Sequence, residues 1–97
     1  MAREVVFEQA AGDDLKAISD WIADADVASA YLDRIYDLCA ALDTFAERGT
    51  PHDDMIPGLR TVAFERKATI AYLVEPETVR ILRVLHKGRD IGRNLRP

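Results

Sequence analysis

At 97 residues, 48% of them hydrophobic and 31% charged, the chain has the composition of an ordinary folded domain and room for a single small core. Its 17 acidic against 13 basic residues leave a formal net charge of −4, which excludes a molecule that binds polyanions over its whole surface. One cysteine, Cys39, excludes an internal disulfide, and no apolar run approaches the ~20 residues of a membrane span.

Val5, Val6 and Phe7 behind Arg3-Glu4 predict a short opening strand. Ala11-Gly12-Asp13-Asp14 then reads as a turn running into a helix start, with carboxylates where a helix N-terminus favours them. Leu15, Ile18, Trp21 and Ile22 follow at helical spacing, with Asp14, Lys16, Asp20 and Asp24 off that face. The pattern breaks at Asp24-Ala25-Asp26, where Asp26 is a candidate N-cap. A longer helix carries the stripe Val27, Tyr31, Ile35, Leu38, Leu42 and Phe45, widened by Leu32, Cys39 and Ala46, and Gly49-Thr50-Pro51 stops it. So short a break makes the two helices an antiparallel hairpin.

After the polar loop His52 to Gly58, residues 59–64, 69–74 and 79–85 are three β-rich segments joined by connections short enough to demand antiparallel hairpins. The third is apolar on both faces, which predicts a central strand. The order β-α-α-β-β-β gives an α+β fold, a helical hairpin packed on one face of a small antiparallel sheet. Residues 1–97 read as one domain without repeat or linker.

Charge is segregated along the chain. Residues 1–54 hold 13 acids and 4 bases, whereas residues 55–97 hold 4 acids and 9 bases, so −9 is followed by +5. The third strand delivers His86, Lys87 and Arg89 to its exit, and a cationic cluster there suits phosphates, nucleic acid or an acidic protein segment. His86 is either a contact or proton-transfer group or simply a polar strand end. Arg60, Arg83 and Arg89 offer an anion-binding face, with Arg60 and Arg83 equally open to structural pairing with carboxylates. Lys87 and Arg89 are the favoured functional cations.

Other polar residues have plainer readings. Arg66-Lys67 is a solvated hairpin turn. His52-Asp53-Asp54 contains metal-ligand residue types but no metal-site spacing, so neither a metal nor a cofactor is expected. Cys39 reads as a small buried apolar residue, and Trp21 and Tyr36 as core or hairpin residues. Asp13, Asp20, Asp24, Asp33, Asp37 and Asp43 make a solvated acidic face.

Ala11-x-x-Asp14-Leu15-x-x-Ile18-x-x-Trp21-Ile22 after an opening strand, Gly58-Leu59-Arg60, Ile70-x-Tyr72 and Val79-Arg80-Ile81-Leu82-Arg83-Val84-Leu85-His86-x-x-Arg89-Asp90 occur in an order that resembles ParE-type toxins of the ParE/RelE superfamily over nearly the full length. The resemblance implies the same β-α-α-β-β-β fold. It also implies a cognate ParD-like antitoxin that binds the toxin directly and carries the contact with operator DNA. Trp21, if exposed, would anchor that partner, together with Arg60, Arg83, His86, Lys87 and Arg89.

Three functions compete under this resemblance. A ParE-type toxin is a non-enzymatic inhibitor of DNA gyrase, with no catalytic residues. A RelE-type toxin is a ribosome-dependent endoribonuclease, for which His86, Arg83 and Arg60 would be the catalytic set. The third reading is a non-toxic module that only binds a partner. The acidic chain suits RNA poorly, and Tyr31, Tyr36 and Tyr72 leave the C-terminal tail without a tyrosine, which favours the gyrase reading. Met1-Ala2-Arg3-Glu4 lacks the apolar core of a signal peptide, and a cytoplasmic protein without membrane association is the expectation.

Overall fold

In the computed structural model, which describes residues 3–86, Val5 and Val6 sit in strand β1 (Glu4–Phe7), and helix α1 (Gln9–Trp21) begins two residues after it. The helix therefore starts earlier than the Ala11-Gly12-Asp13-Asp14 turn predicts. Ala10 and Ala11 are strong helix formers and Ala11 is fully buried, which outweighs the roughly 1 kcal/mol that Gly12 costs inside a helix. Asp13 and Asp14 consequently lie outside the first turn.

A tight break leads to helix α2 (Ala25–Ala41), whose N-cap is Asp24 rather than Asp26: its carboxylate accepts hydrogen bonds from the N–H groups of Asp26 and Val27 at 2.9 and 3.0 Å. Asp26 falls in the first turn, where its charge meets the positive end of the helix dipole. The inward face of α2 is Ala28, Tyr31, Ile35 and Cys39, continued by Leu42 and Ala46. Val27 and Phe45 are instead exposed. The small side chains at 28 and 39 let the helix approach the sheet on a line rotated from the one the larger residues mark.

Beyond α2 come β2 (Thr50–Pro51), β3 (Leu59–Phe64), β4 (Ala68–Val74) and β5 (Thr78–His86). The five strands form one sheet in the order β1-β5-β4-β3-β2. The α+β architecture agrees with the sequence reading, but the sheet is mixed rather than wholly antiparallel: β1 runs parallel to β5, pairing Glu4 with Thr78 through Phe7 with Ile81. The helical hairpin carries the chain from one edge of the sheet to the other, so the first strand ends up beside the last. Flanked on both sides, β5 is an interior strand, while β4 occupies the middle; Val79, Ile81, Val84 and Leu85 of β5 are buried and Arg80, Leu82 and Arg83 half-buried. The two-residue β2 escapes sequence reading because it is short and ends in a proline, tolerated only at an edge.

Ala11, Leu15 and Ile18 of α1 meet Ile35 and Cys39 of α2 over Ile70, Tyr72, Val79, Ile81 and Val84 of the sheet. Ile81 and Val84 share that core although three residues apart, because the pairing between β4 and β5 slips one residue: Ala71 faces Arg83, but Tyr72 faces Ile81. Burial pushes the Cys39 thiol up to about 12 and leaves it a packing group. Helix α2 ends at Ala41, eight residues before the stop that Gly49-Thr50-Pro51 predicts; Gly49, at φ +84°, instead stands directly before β2, where a Cβ would lie 2.2 Å from the Thr61 carbonyl oxygen.

Candidate functional site

At the end of the sheet where β5 terminates, the C-terminus of α1, the first three turns of α2 and the β3–β4 turn line a groove of about 540 Å³. Its apolar wall is Trp21, Ile22, Val27 and Tyr31, and its polar members are Arg34, Lys67 and His86. Trp21, the last residue of α1, is 60% exposed and Val27 57% exposed, so a large aromatic and a β-branched residue face solvent side by side. The hairpin assignment for Trp21 holds; burial in the core does not.

The Trp21 and His86 rings stand 5.1 Å apart at 60°, and the His86 ring lies 6.3 Å from Tyr31 edge to face. Tyr31 also meets Phe64 edge to face at 5.5 Å and carries the Arg34 guanidinium at 5.5 Å from its ring. Arg34 is fixed there by Glu65, which accepts two hydrogen bonds at 2.7 and 3.1 Å. Tyr31 is 5% exposed, and its buried hydroxyl has no hydrogen-bond partner among the described residues. Burial, reinforced by the nearby Glu65 charge, pushes the Tyr31 pKa up against the smaller opposing pull of Arg34. The phenol thus stays neutral, with its ring on the groove and its hydroxyl buried.

Glu65 and Arg66 occupy the left-handed region, at φ 49° and 59°, in a turn closed by the Lys67 N–H to the Phe64 carbonyl at 3.0 Å. Turns of that hand ordinarily use Asn and Gly. The backbone therefore holds Glu65 against Arg34 and sets Lys67 on the groove at some local strain. Arg66 and Lys67 are both exposed, as the solvated-turn reading has them, and Lys67 also lines the groove.

The other expected site residues do not converge on His86. Arg83 lies in β5 and is bound by Asp14, whose carboxylate accepts from Nε at 2.7 Å and from an Nη at 2.8 Å, and holds the guanidinium firmly charged. Asp14 also accepts the Val84 N–H at 2.9 Å, past the point where β1 ends. Arg60, in β3, donates to the carbonyls of Glu47, Arg48 and Gly49, and Tyr72 donates to Ala46 at 3.0 Å and to Arg48. Both side chains satisfy carbonyls left open behind α2. Arg60 pairs with Tyr72 while His86 pairs with Ala68, a separation of four strand positions or about 13 Å along the strand direction. Lys87 and Arg89 lie outside the described residues.

Among the described residues no group of three or more His, Cys, Asp and Glu side chains is placed to hold a metal. In the loop considered for one, His52 Nε2 is hydrogen-bonded with Thr61 Oγ1 at 2.9 Å and Asp53 accepts the Gly58 N–H. No described helix is long and apolar enough to cross a membrane.

Sequence reasoning passes over Tyr31, Arg34 and Lys67 as site residues. Tyr31 is a polar-tipped member of an otherwise apolar stripe and Arg34 follows one helical turn later, a pairing visible in the sequence; the approach of Lys67 is purely tertiary.

A helical hairpin on a mixed sheet, with this topology, is the fold of toxins from type II toxin–antitoxin complexes. The chain is similar to a structure of the chromosomal ParDE system of P. aeruginosa at a TM-score of 0.75, with 23% identity over 90% of this chain and 98% of that one. It is similar to the E. coli DinJ-YafQ toxin–antitoxin complex at 0.63, with 15% identity over 89% and 93%. The RelBE2 toxin–antitoxin complex of Mycobacterium tuberculosis matches at 0.57, with 17% identity over 89% and 99%. No curated protein sequence matches significantly. The family model for the ParE toxin of the type II toxin–antitoxin system parDE matches residues 5–91, and the chain belongs to that family.

Proposed function

We propose that this ParE-type toxin acts by binding DNA gyrase, without catalysis, and is neutralised by direct binding of a ParD-like antitoxin that alone contacts operator DNA. The observation that carries the non-enzymatic reading is the dispersal of the nuclease set. Arg83 is committed to Asp14, Arg60 to three carbonyls behind α2, and His86 lies four strand positions from Arg60. Transesterification of RNA needs a base, an acid and cations within hydrogen-bond reach of one phosphodiester. The Asp14 and backbone bonds make Arg83 and Arg60 supports of the fold, and leave surface contact to Trp21, His86, Lys87 and Arg89.

Expression without antitoxin is expected to give filamentous cells with a DNA-damage response, and purified toxin is expected to leave ribosome-bound mRNA intact. Codon-positioned mRNA cleavage that vanishes in His86→Gln would overturn the proposal in favour of a RelE-like endoribonuclease. One feature favours that second reading: His86 and Tyr31, two side chains capable of proton transfer, have ring centroids 6.3 Å apart. Normal growth under full expression would leave the third reading, a module that only binds its partner.

A further inference from the structure

We propose that the outer edge of β1, flanked by the exposed pair Phe7 and Tyr36, accepts an extended basic segment of a partner protein as an added antiparallel strand. This surface lies at the N-terminal end of α1, about 20 Å along that 13-residue helix from Trp21, and is separate from the groove.

The strand ladder shows which backbone groups are open. Glu4 donates to the Glu77 carbonyl and Glu8 to the Ile81 carbonyl, both at 2.9 Å, so the even-numbered residues of β1 turn their backbone groups to β5. The odd-numbered residues turn theirs the other way, and β1 is the outermost strand. Arg3 follows this alternation, its N–H reaching outward to the Asp43 carbonyl at 2.9 Å. Val5 and Phe7 meet no such acceptor among the described residues, and each offers an N–H and a C=O to an incoming strand. The opposite edge is protected, since β2 is two residues long and ends in Pro51. Edge strands are ordinarily blunted in that way, by brevity, proline or charge, whereas β1 carries Val5-Val6-Phe7.

The side chains beside this edge define the partner's chemistry. Phe7 and Tyr36 are 38% and 47% exposed with rings 5.5 Å apart, and give alternate side chains of an added strand an apolar surface next to the open amides. The exposed charge around them is acidic. Glu4 and Glu8 bracket the open residues, and on α2 Asp33 stands one turn before Tyr36 and Asp37 directly after it. Arg80 offsets Glu8 only in part, at 3.5 Å, and the Arg3 guanidinium is turned to the Glu75 carbonyl. A segment in which cations alternate with apolar residues is therefore favoured over an acidic one. A second copy is disfavoured, because the antiparallel register that pairs Val5 of each copy with Phe7 of the other sets Glu4 opposite Glu8.

Hydrogen exchange at single amides of the full-length toxin tests this. The probe is a capped peptide of about eight residues in which lysine and threonine alternate around a central leucine, and its control carries glutamate in place of lysine. The lysine peptide is expected to slow exchange at the Val5 and Phe7 amides about tenfold near saturation and to leave the Val6 amide, already bonded to β5, unchanged. The glutamate peptide is expected to leave all of them unchanged. Val5→Pro removes an N–H that β5 does not use, so the melting temperature is expected to stay within a few degrees while protection of Phe7 is lost. Tyr36→Ser lies outside the sheet and is expected to weaken peptide binding severalfold, which tests the surface even if the proline variant does not fold. Unchanged exchange with the lysine peptide, or equal protection by the glutamate peptide, would overturn the proposal. Exchange at Val5 and Phe7 that slows with toxin concentration alone would assign the edge to a second copy, and exchange that quickens on deletion of residues 88–97 would assign it to the tail; either overturns the proposal.

Discussion

One carboxylate oxygen of Asp14 accepts both the Arg83 guanidinium and the Val84 amide, at 2.7 and 2.9 Å. The helix thereby closes a β5 amide that β1 is too short to reach, and fixes the arginine at the slip in strand pairing. Both side chains are largely shielded, at 13% and 21% exposure, so the pair is screened far less than a surface ion pair.

Asp14→Asn should therefore destabilise the protein by about 2 kcal/mol, the worth of charge-assisted hydrogen bonds at a shielded site. Urea denaturation measures this as a lower midpoint at unchanged slope. A midpoint equal to that of the wild type would make Asp14 a surface residue.

Gly12 and Gly49 should respond oppositely to alanine. Gly12 lies within α1 with nothing within 4 Å of where a Cβ would stand, so Gly12→Ala is expected to stabilise by up to about 1 kcal/mol. Gly49→Ala must push a methyl into the Thr61 carbonyl at a backbone angle alanine avoids, and should unfold well below the wild type on heating.

At the β3–β4 turn, Arg66→Gly should stabilise by about 1 kcal/mol by relieving a left-handed arginine, at no loss to the neighbouring ion pair. That pair sets an acid dependence. The Arg34 guanidinium holds the Glu65 carboxyl below its ordinary value of 4.5. A carboxyl lowered in the folded state adds stability that is present above the unfolded value and lost as the pH falls through the folded one. Denaturation midpoints taken downward from about pH 5 should fall less steeply in Arg34→Leu than in the wild type.

Cys39, fully buried and with its thiol pushed up to about 12, should resist a thiol reagent at pH 8 in the folded protein and react at a rate set by opening of the core. Labelling that matches the rate of a free thiol in native buffer would show that α2 does not pack as described.

The strand spacing made β3 readable to the residue and placed β4 and β5 within one residue at each end. It could not reveal that β1 runs parallel to β5, because nothing local to Val5 and Val6 encodes a neighbour met only after the rest of the sheet has formed. Asp14 and Arg83 were both visible as charged residues off an apolar face, and their partnership was not, since it joins a helix to a distant strand. The site divides in the same way. Trp21 and His86 stood out by residue type, whereas Tyr31 looked like one more core aromatic, and its idle hydroxyl emerges only when every neighbouring acceptor has been located.

The pairing of Glu4–Phe7 with the N-terminal half of β5 also governs when the molecule comes into being. As the nascent chain emerges, the opening strand and both helices are released first, yet the hydrogen-bonding edge that seats the former and the apolar surface that seats the latter do not exist until the final strand has been translated. A message cut short before Thr78 yields a polypeptide that cannot complete this sheet. Completion of the sheet thus comes in a single late step, once the last strand is free to insert between the first and the fourth.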